Sequence, residues 1–134
     1  NNNSPIIIRV SYNELWSTTD EEDNTFTVLN NKANGIDTVN KVWTDAWVND
    51  FVDGHDGWYY YKKVLHNTER VQVLSEIQLN EEALTSSGDL ETYKNANYEL
   101  DFNFESVQAD SKAVKSLWGK TVTIDSDGNI TWNF

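Results

Sequence analysis

The sequence predicts an all-β protein, an antiparallel β-sandwich with one or two short helices. Three observations lead there. Apolar and polar residues alternate with period two in stretch after stretch, giving seven candidate strands joined by polar turns. Strands do not alternate regularly with helical patterns, so a parallel βαβ sheet is not expected, and no internal repeat is present. Of 134 residues, 38% are hydrophobic and 13% aromatic, enough for one domain spanning 1–134 to bury a core without staples.

The first strand follows Pro5, with Ile6, Ile8, Val10 and Tyr12 on one side and Ile7, Arg9 and Ser11 on the other. Residues 17–24 read as an acidic loop, Thr25 to Leu29 as a short strand, and Asn30 to Gly35 as a turn. Residues 39–52 admit two readings. Trp43, Trp47 and Phe51 stand four apart beside Ala46, which fits a short amphipathic helix, and a bent edge strand fits as well.

The run from Asp53 to Leu65 is an acidic glycine turn leading into a strand aromatic on both faces. Trp58, Tyr60, Lys62 and Val64 fall on one side, with Tyr59, Tyr61, Lys63 and Leu65 on the other. After a turn at His66–Arg70, Val71 to Leu79 alternates and places Val71, Val73, Ile77 and Leu79 inward. Residues 80–95 form a polar connector with one helical turn around Glu81 to Leu84. From Asn97 to Glu105, Tyr98, Leu100, Phe102 and Phe104 mark a buried face opposite a wet, acidic one. Asp110 caps a short helix carrying Ala113, Val114, Leu117 and Trp118, ended by Gly119. Thr121–Ile124 and Ile130–Phe134 close the chain as a hairpin through Asp125–Asn129.

Charge and composition exclude several function classes. Ten Lys and Arg face 22 Asp and Glu, a net charge of −12 that repels phosphate backbones and anionic lipid. Nucleic acid is therefore not an expected partner. No run approaches the roughly 20 apolar residues of a membrane span, and no secretory leader is legible before Arg9. The absence of cysteine rules out disulfides and thiolate metal sites, and fits a Gram-positive-type cell surface and a cytoplasm equally.

Candidate sites weigh lightly against their structural readings. His55 and His66 lie in separate turns without the spacing of a zinc site. Asp125–Asn129 resembles the opening of a calcium loop and Asp20–Asp23 gathers carboxylates. The first lacks the distal bidentate Glu and reads equally as a hairpin turn, and the second reads as a solvated loop. No nucleophile elbow is present, and with 22 acids a chance carboxylate pair says little about glycoside hydrolysis. No catalytic, cofactor or metal residue is assigned, and no enzyme activity is expected. Trp43, Trp47, Trp58 and Tyr60 could form a sugar-stacking platform, but aromatic residues in mid-strand favour the core. Lys62, Lys63 and Lys120 could form intramolecular isopeptide bonds or serve as ordinary edge guards.

Four motifs, in order, resemble one known family. Ile6-Ile-Ile-Arg-Val10 resembles its "YVRV" strand, and Asp56-Gly-Trp-Tyr-Tyr-Tyr-Lys-Lys-Val-Leu65 its "DGYYYYKKVL" strand. Val71-Gln-Val-Leu-Ser-Glu-Ile77 is similar to the strand that follows, and Val107-Gln-Ala-Asp110 to its "VQAD" element. The family is that of the TasA-like and BsaA-like biofilm matrix proteins, related to camelysin and exported with the SipW-type signal peptidase. The resemblance covers residues 5–110 and leaves 119–134 unmatched.

The resemblance implies a jelly-roll-like β-sandwich that is secreted to the cell surface or extracellular matrix and forms fibres there. Its partners would be other copies of itself or related matrix subunits, joined by β-strand addition. It also implies a signal peptide and a first strand upstream of the "YVRV" strand, which the sequence does not include. A peptidase label borne by some members has no metallopeptidase motif here to support it. The alternative expectation is a surface module binding glycans through exposed Trp and Tyr.

Overall fold

A computed structural model describes residues 4–50 and 56–134. In chain order the described strands and helices are β1 (Ile6–Thr19), β2 (Phe26–Leu29), β3 (Lys32–Ala33), β4 (Ile36–Asp37), β5 (Val39–Trp43), β6 (Trp47–Asn49), β7 (Tyr59–Tyr61), β8 (Leu74–Leu79), α1 (Glu81–Ser87), α2 (Leu90–Lys94), β9 (Asn97–Gln108), α3 (Ser111–Trp118), β10 (Thr121–Ile124) and β11 (Ile130–Asn133). The fold is all-β, and the pairs β1–β2, β1–β7, β6–β7, β3–β4 and β10–β11 are antiparallel. The chain divides into two compact units. One comprises residues up to 11, 43–73 and 102–134, and the other residues 12–42 and 74–101. β1 and β9 each run through both.

In the first unit, the start of β1 is apolar on both faces, and both are covered. Ile7 is fully buried among Val64, Val107, Val114, Val122 and Ile130. Ile8 and Val10 face a separate cluster with Trp47 and Leu65. Arg9 pairs with Tyr60, and Val10 with Tyr59, on β7, which in turn pairs with β6. The helix α3 packs Val114 into the Ile7 cluster. Asp110 starts it by accepting a hydrogen bond from the Lys112 N–H, and Gly119 ends it at a positive φ of 69° that suits glycine.

In the second unit, Trp16 is the anchor. Its ring meets Tyr93 edge-on with centroids 5.0 Å apart, lies 4.7 Å from Tyr98, and donates its indole N–H to Thr38 Oγ1 at 3.0 Å. The helices α1 and α2 bring Ala83, Leu84 and Tyr93 into this cluster, and the Tyr93 hydroxyl donates to the Asn30 carbonyl at 2.6 Å. Every polar end of these aromatics thus has a partner, as burial requires.

Several expectations are corrected. Residues 39–49 are not helical: β5 and β6 flank a turn, so the four-residue spacing of Trp43 and Trp47 comes from strand, turn and strand. Trp43 stacks on Tyr59 at 3.6 Å, and Trp47 donates to the Gln72 carbonyl at 2.8 Å. Phe51, the third member of that pattern, lies outside the described residues. The aromatic strand is shorter than expected, Tyr59–Tyr61, and continues as isolated bridges from Lys63 to Asn129 and from Leu65 to Ile6; its two-faced alternation holds, with Val64 and Leu65 in different clusters. The polar connector 80–95 holds two helices. Asn80 caps the first by accepting from the Ala83 N–H. Ile77 and Phe104, expected inward, are exposed, as is Leu117 on α3. Alternation shows which side chains share a face; whether that face is covered depends on neighbours distant in sequence.

Candidate functional site

The densest polar cluster in the first unit centres on Arg9, a charged residue set between the apolar positions of β1. Its guanidinium lies between two indoles, 4.2 Å from the Trp58 centroid and 4.6 Å from that of Trp118. Nε and Nη2 both donate to Glu105 Oε1, at 2.9 and 2.6 Å, and Nη1 donates to the Tyr60 hydroxyl at 3.3 Å. A planar, weakly hydrated cation suits that stacked slot; an ammonium would not fill it. The Tyr60 hydroxyl donates in turn to Asp56 Oδ2 at 2.5 Å.

Lys120 completes the cluster, its Nζ 3.1 Å from Asp50 Oδ2 and 3.0 Å from Asp56 Oδ2. Burial, then the bond to Asp56, push the Tyr60 phenol up to about 12. For Asp56 burial opposes ionisation. The hydrogen bonds from Tyr60, from the Trp58 N–H and from Lys120 outweigh it and hold the carboxyl below its usual value. For Lys120 burial opposes the ammonium, and the two carboxylates outweigh that and raise its pKa. The arrangement is an ion-pair network that joins distant stretches of chain. Lys62 and Lys63, the other two lysines considered for isopeptide bonds, are exposed.

A second polar centre lies in the other unit. Lys41 Nζ donates to Glu14 Oε1 at 2.7 Å, with side chains only 4% and 10% exposed. The Tyr98 hydroxyl donates to the same oxygen at 2.6 Å. Burial, then this bond to Glu14, raise the pKa of Tyr98. Lys41 also lies 5.1 Å from the Tyr12 ring centroid.

The candidate calcium loops are closed by their own hydrogen bonds. Asp125 accepts from the Asp127 and Asn129 N–H groups, both at 2.9 Å, and from Asn129 Nδ2 at 3.1 Å. Those bonds, led by the Asn129 backbone, hold its carboxyl below the usual value. Asp20 accepts from the Glu22 N–H and Asp23 from the Thr25 N–H, each at 2.9 Å. Both are turns in which a side chain stands in for a backbone carbonyl. Among the described residues no group of three or more His, Cys, Asp or Glu could hold a metal ion. His55 lies outside the described residues.

Of the four aromatics considered as a sugar platform, Tyr60 and Trp47 are buried and Trp58 is spent on Arg9. Trp43 is stacked on Tyr59. They do not form one exposed face. Sequence reasoning gave no site role to the residues that carry the polar clusters, Arg9, Glu14, Lys41, Asp56 and Glu105. Arg9 and Asp56 entered only as members of quoted motifs, and Glu105 only at the end of an alternating strand.

The exposed apolar side chains that remain are concentrated on strands. Phe26 and Val28 of β2 are 59% and 61% exposed, and β2 has β1 on one side and no described strand on the other. Phe26-Thr-Val-Leu29 carries no charge and no proline, the usual guards of a sheet edge. Comparison with family models, with curated proteins and with solved structures finds no match.

Proposed function

We propose that this chain is a secreted structural protein of the cell surface or biofilm matrix whose subunits join by β-strand addition. The observation that carries the reading is the unguarded, apolar β2 edge on an all-β antiparallel fold. An open edge offers unpaired N–H and C=O groups, and alternate side chains set the register. The four ordered motifs resembling the TasA-like matrix proteins support the same role. So does the chemistry of the polar clusters, whose charged groups are matched to one another. A jelly-roll arrangement of the strands belongs to this proposal.

The test is negative-stain microscopy with light scattering on the purified chain across a range of concentration and salt. Growth into filaments or higher oligomers is the expected result. A chain that stays monodisperse at every concentration would sink the structural role and turn attention to glycan screening.

A further inference from the structure

We propose that β2 is a self-pairing edge: two copies of this chain join antiparallel through it, with Phe26 of each opposite Val28 of the other. The inference rests on the assembly reading above and adds the edge, the register and the partner.

The hydrogen-bonding phase of β2 follows from its pairing with β1. The register runs Trp16 with Leu29, Ser17 with Val28, Thr18 with Thr27 and Thr19 with Phe26. Continued by one step it places Asp20 opposite Thr25, and there the Asp20 N–H donates to the Thr25 carbonyl at 2.9 Å. Antiparallel pairs alternate between hydrogen-bonded and non-hydrogen-bonded. Thr27 and Leu29 therefore direct their backbone groups to β1, while Phe26 and Val28 turn theirs to the open side.

A second β2 can satisfy those groups in few ways. Residues directly opposite must share a face, so a two-fold contact pairs residues of like parity. The register with greatest overlap sets Phe26 against Val28 of the second copy, twice over, around Thr27 facing its own equivalent. Both apolar pairs are then hydrogen-bonded pairs, and the four outward N–H and C=O groups on each copy are used.

Charge fits this register. The antiparallel two-fold sets the end of β2 that carries the acidic turn Asp20–Asp23 of one copy against the end that leads to Asn30–Lys32 of the other. Lys32 is exposed and its partner Asp37 is equally so, which leaves it free to share its charge at little cost. The two acidic turns lie about 30 Å apart along the paired strands, several Debye lengths at physiological salt. A two-fold contact closes on itself, so a filament would need a second contact elsewhere on the chain.

The chain has no cysteine, so one introduced thiol reports only contacts between copies. Thr27 faces its equivalent as a non-hydrogen-bonded pair, with Cα atoms about 4.5 Å apart, within disulfide reach. Thr27→Cys should cross-link under mild oxidation about tenfold faster than Thr123→Cys on the exposed face of β10. Adding Val28→Pro, which removes an outward N–H and no bond to β1, should abolish that advantage while circular dichroism and Tm hold. If the proline variant does not fold, Val28→Lys changes only an exposed side chain and carries the same test.

Equal cross-linking of the two cysteine variants, or cross-linking indifferent to position 28, would overturn the proposal. Filaments without the 27–27 disulfide would keep the matrix reading and discard this edge. Cross-linked pairs that never grow would establish the edge and count against fibre formation.

Discussion

Arg9 is held on all sides by groups that a smaller side chain could not reach. Arg9→Ala removes two cation–π contacts and the charge-assisted bonds to Glu105, and leaves a slot between Trp58 and Trp118. With about 0.5–2 kcal/mol for each stacked cation and about 1.5–3 kcal/mol for a hydrogen bond to a charged group, part of which water restores to Glu105, a loss of about 3 kcal/mol is expected. Urea unfolding of Arg9→Ala and Arg9→Lys checks it. Lysine should recover less than half of the loss, and a cost below about 1 kcal/mol for Ala would mean that the stacking is not formed in solution. The phenols give a second residue-level prediction. Tyr60 is raised to about 12, above the usual value near 10, so the folded state holds its proton more tightly than the unfolded chain does. Its contribution is complete below pH 10 and declines as pH rises from about 10 to 12. Titration at 295 nm should therefore show Tyr60 and Tyr98 ionising only as the chain unfolds. A single smooth titration of all six tyrosines near pH 10, with the fold intact, would contradict it.

Along β9 the alternation is continuous while the burial is not. Phe102 packs with the cluster of Ile8, Val10 and Trp47, yet Phe104, two residues on and on the same face, is 56% exposed. Phe102→Ala should cost about 2 kcal/mol, below the full cavity range because the ring is only partly covered, and Phe104→Ala less than about 0.5 kcal/mol. Equal costs for the two substitutions in urea unfolding would show that the face is covered throughout. The same contrast explains what the sequence could reveal. The helix α3 and the β10–β11 hairpin were legible because their signals are local: an Asp cap, a closing glycine, and Asp125 folding its turn upon itself. Of α1 only its first turn, Glu81 to Leu84, was legible, and α2 was hidden, because so few of their residues turn inward that no amphipathic stripe stands out. β1 continues to Thr19 because β2 pairs with residues that read as acidic loop. The Arg9 cluster was illegible for a related reason. Its members come from positions 9, 50, 56–60, 105 and 118–120, and no spacing within one segment announces them.

At the scale of the whole molecule, association and charge oppose each other. Every copy brings a net charge of −12, so two copies repel at any separation within a Debye length, whatever their edges offer. That length is about 30 Å at 0.01 M salt and about 8 Å at 0.15 M, so the repulsion fades over this range. Backbone pairing and apolar contact at a strand edge depend little on ionic strength over the same range. Self-association should therefore strengthen as salt rises, by about tenfold or more in the association constant if screening removes 1.4 kcal/mol or more. Sedimentation equilibrium at three salt concentrations checks this. Magnesium at equal ionic strength should act no more strongly than sodium, because the acidic turns are closed by their own hydrogen bonds. Association that weakens with salt would mean that attraction between unlike charges, such as the acidic turn Asp20–Asp23 with Lys32, holds the copies together. The edge strand would then fix only their register.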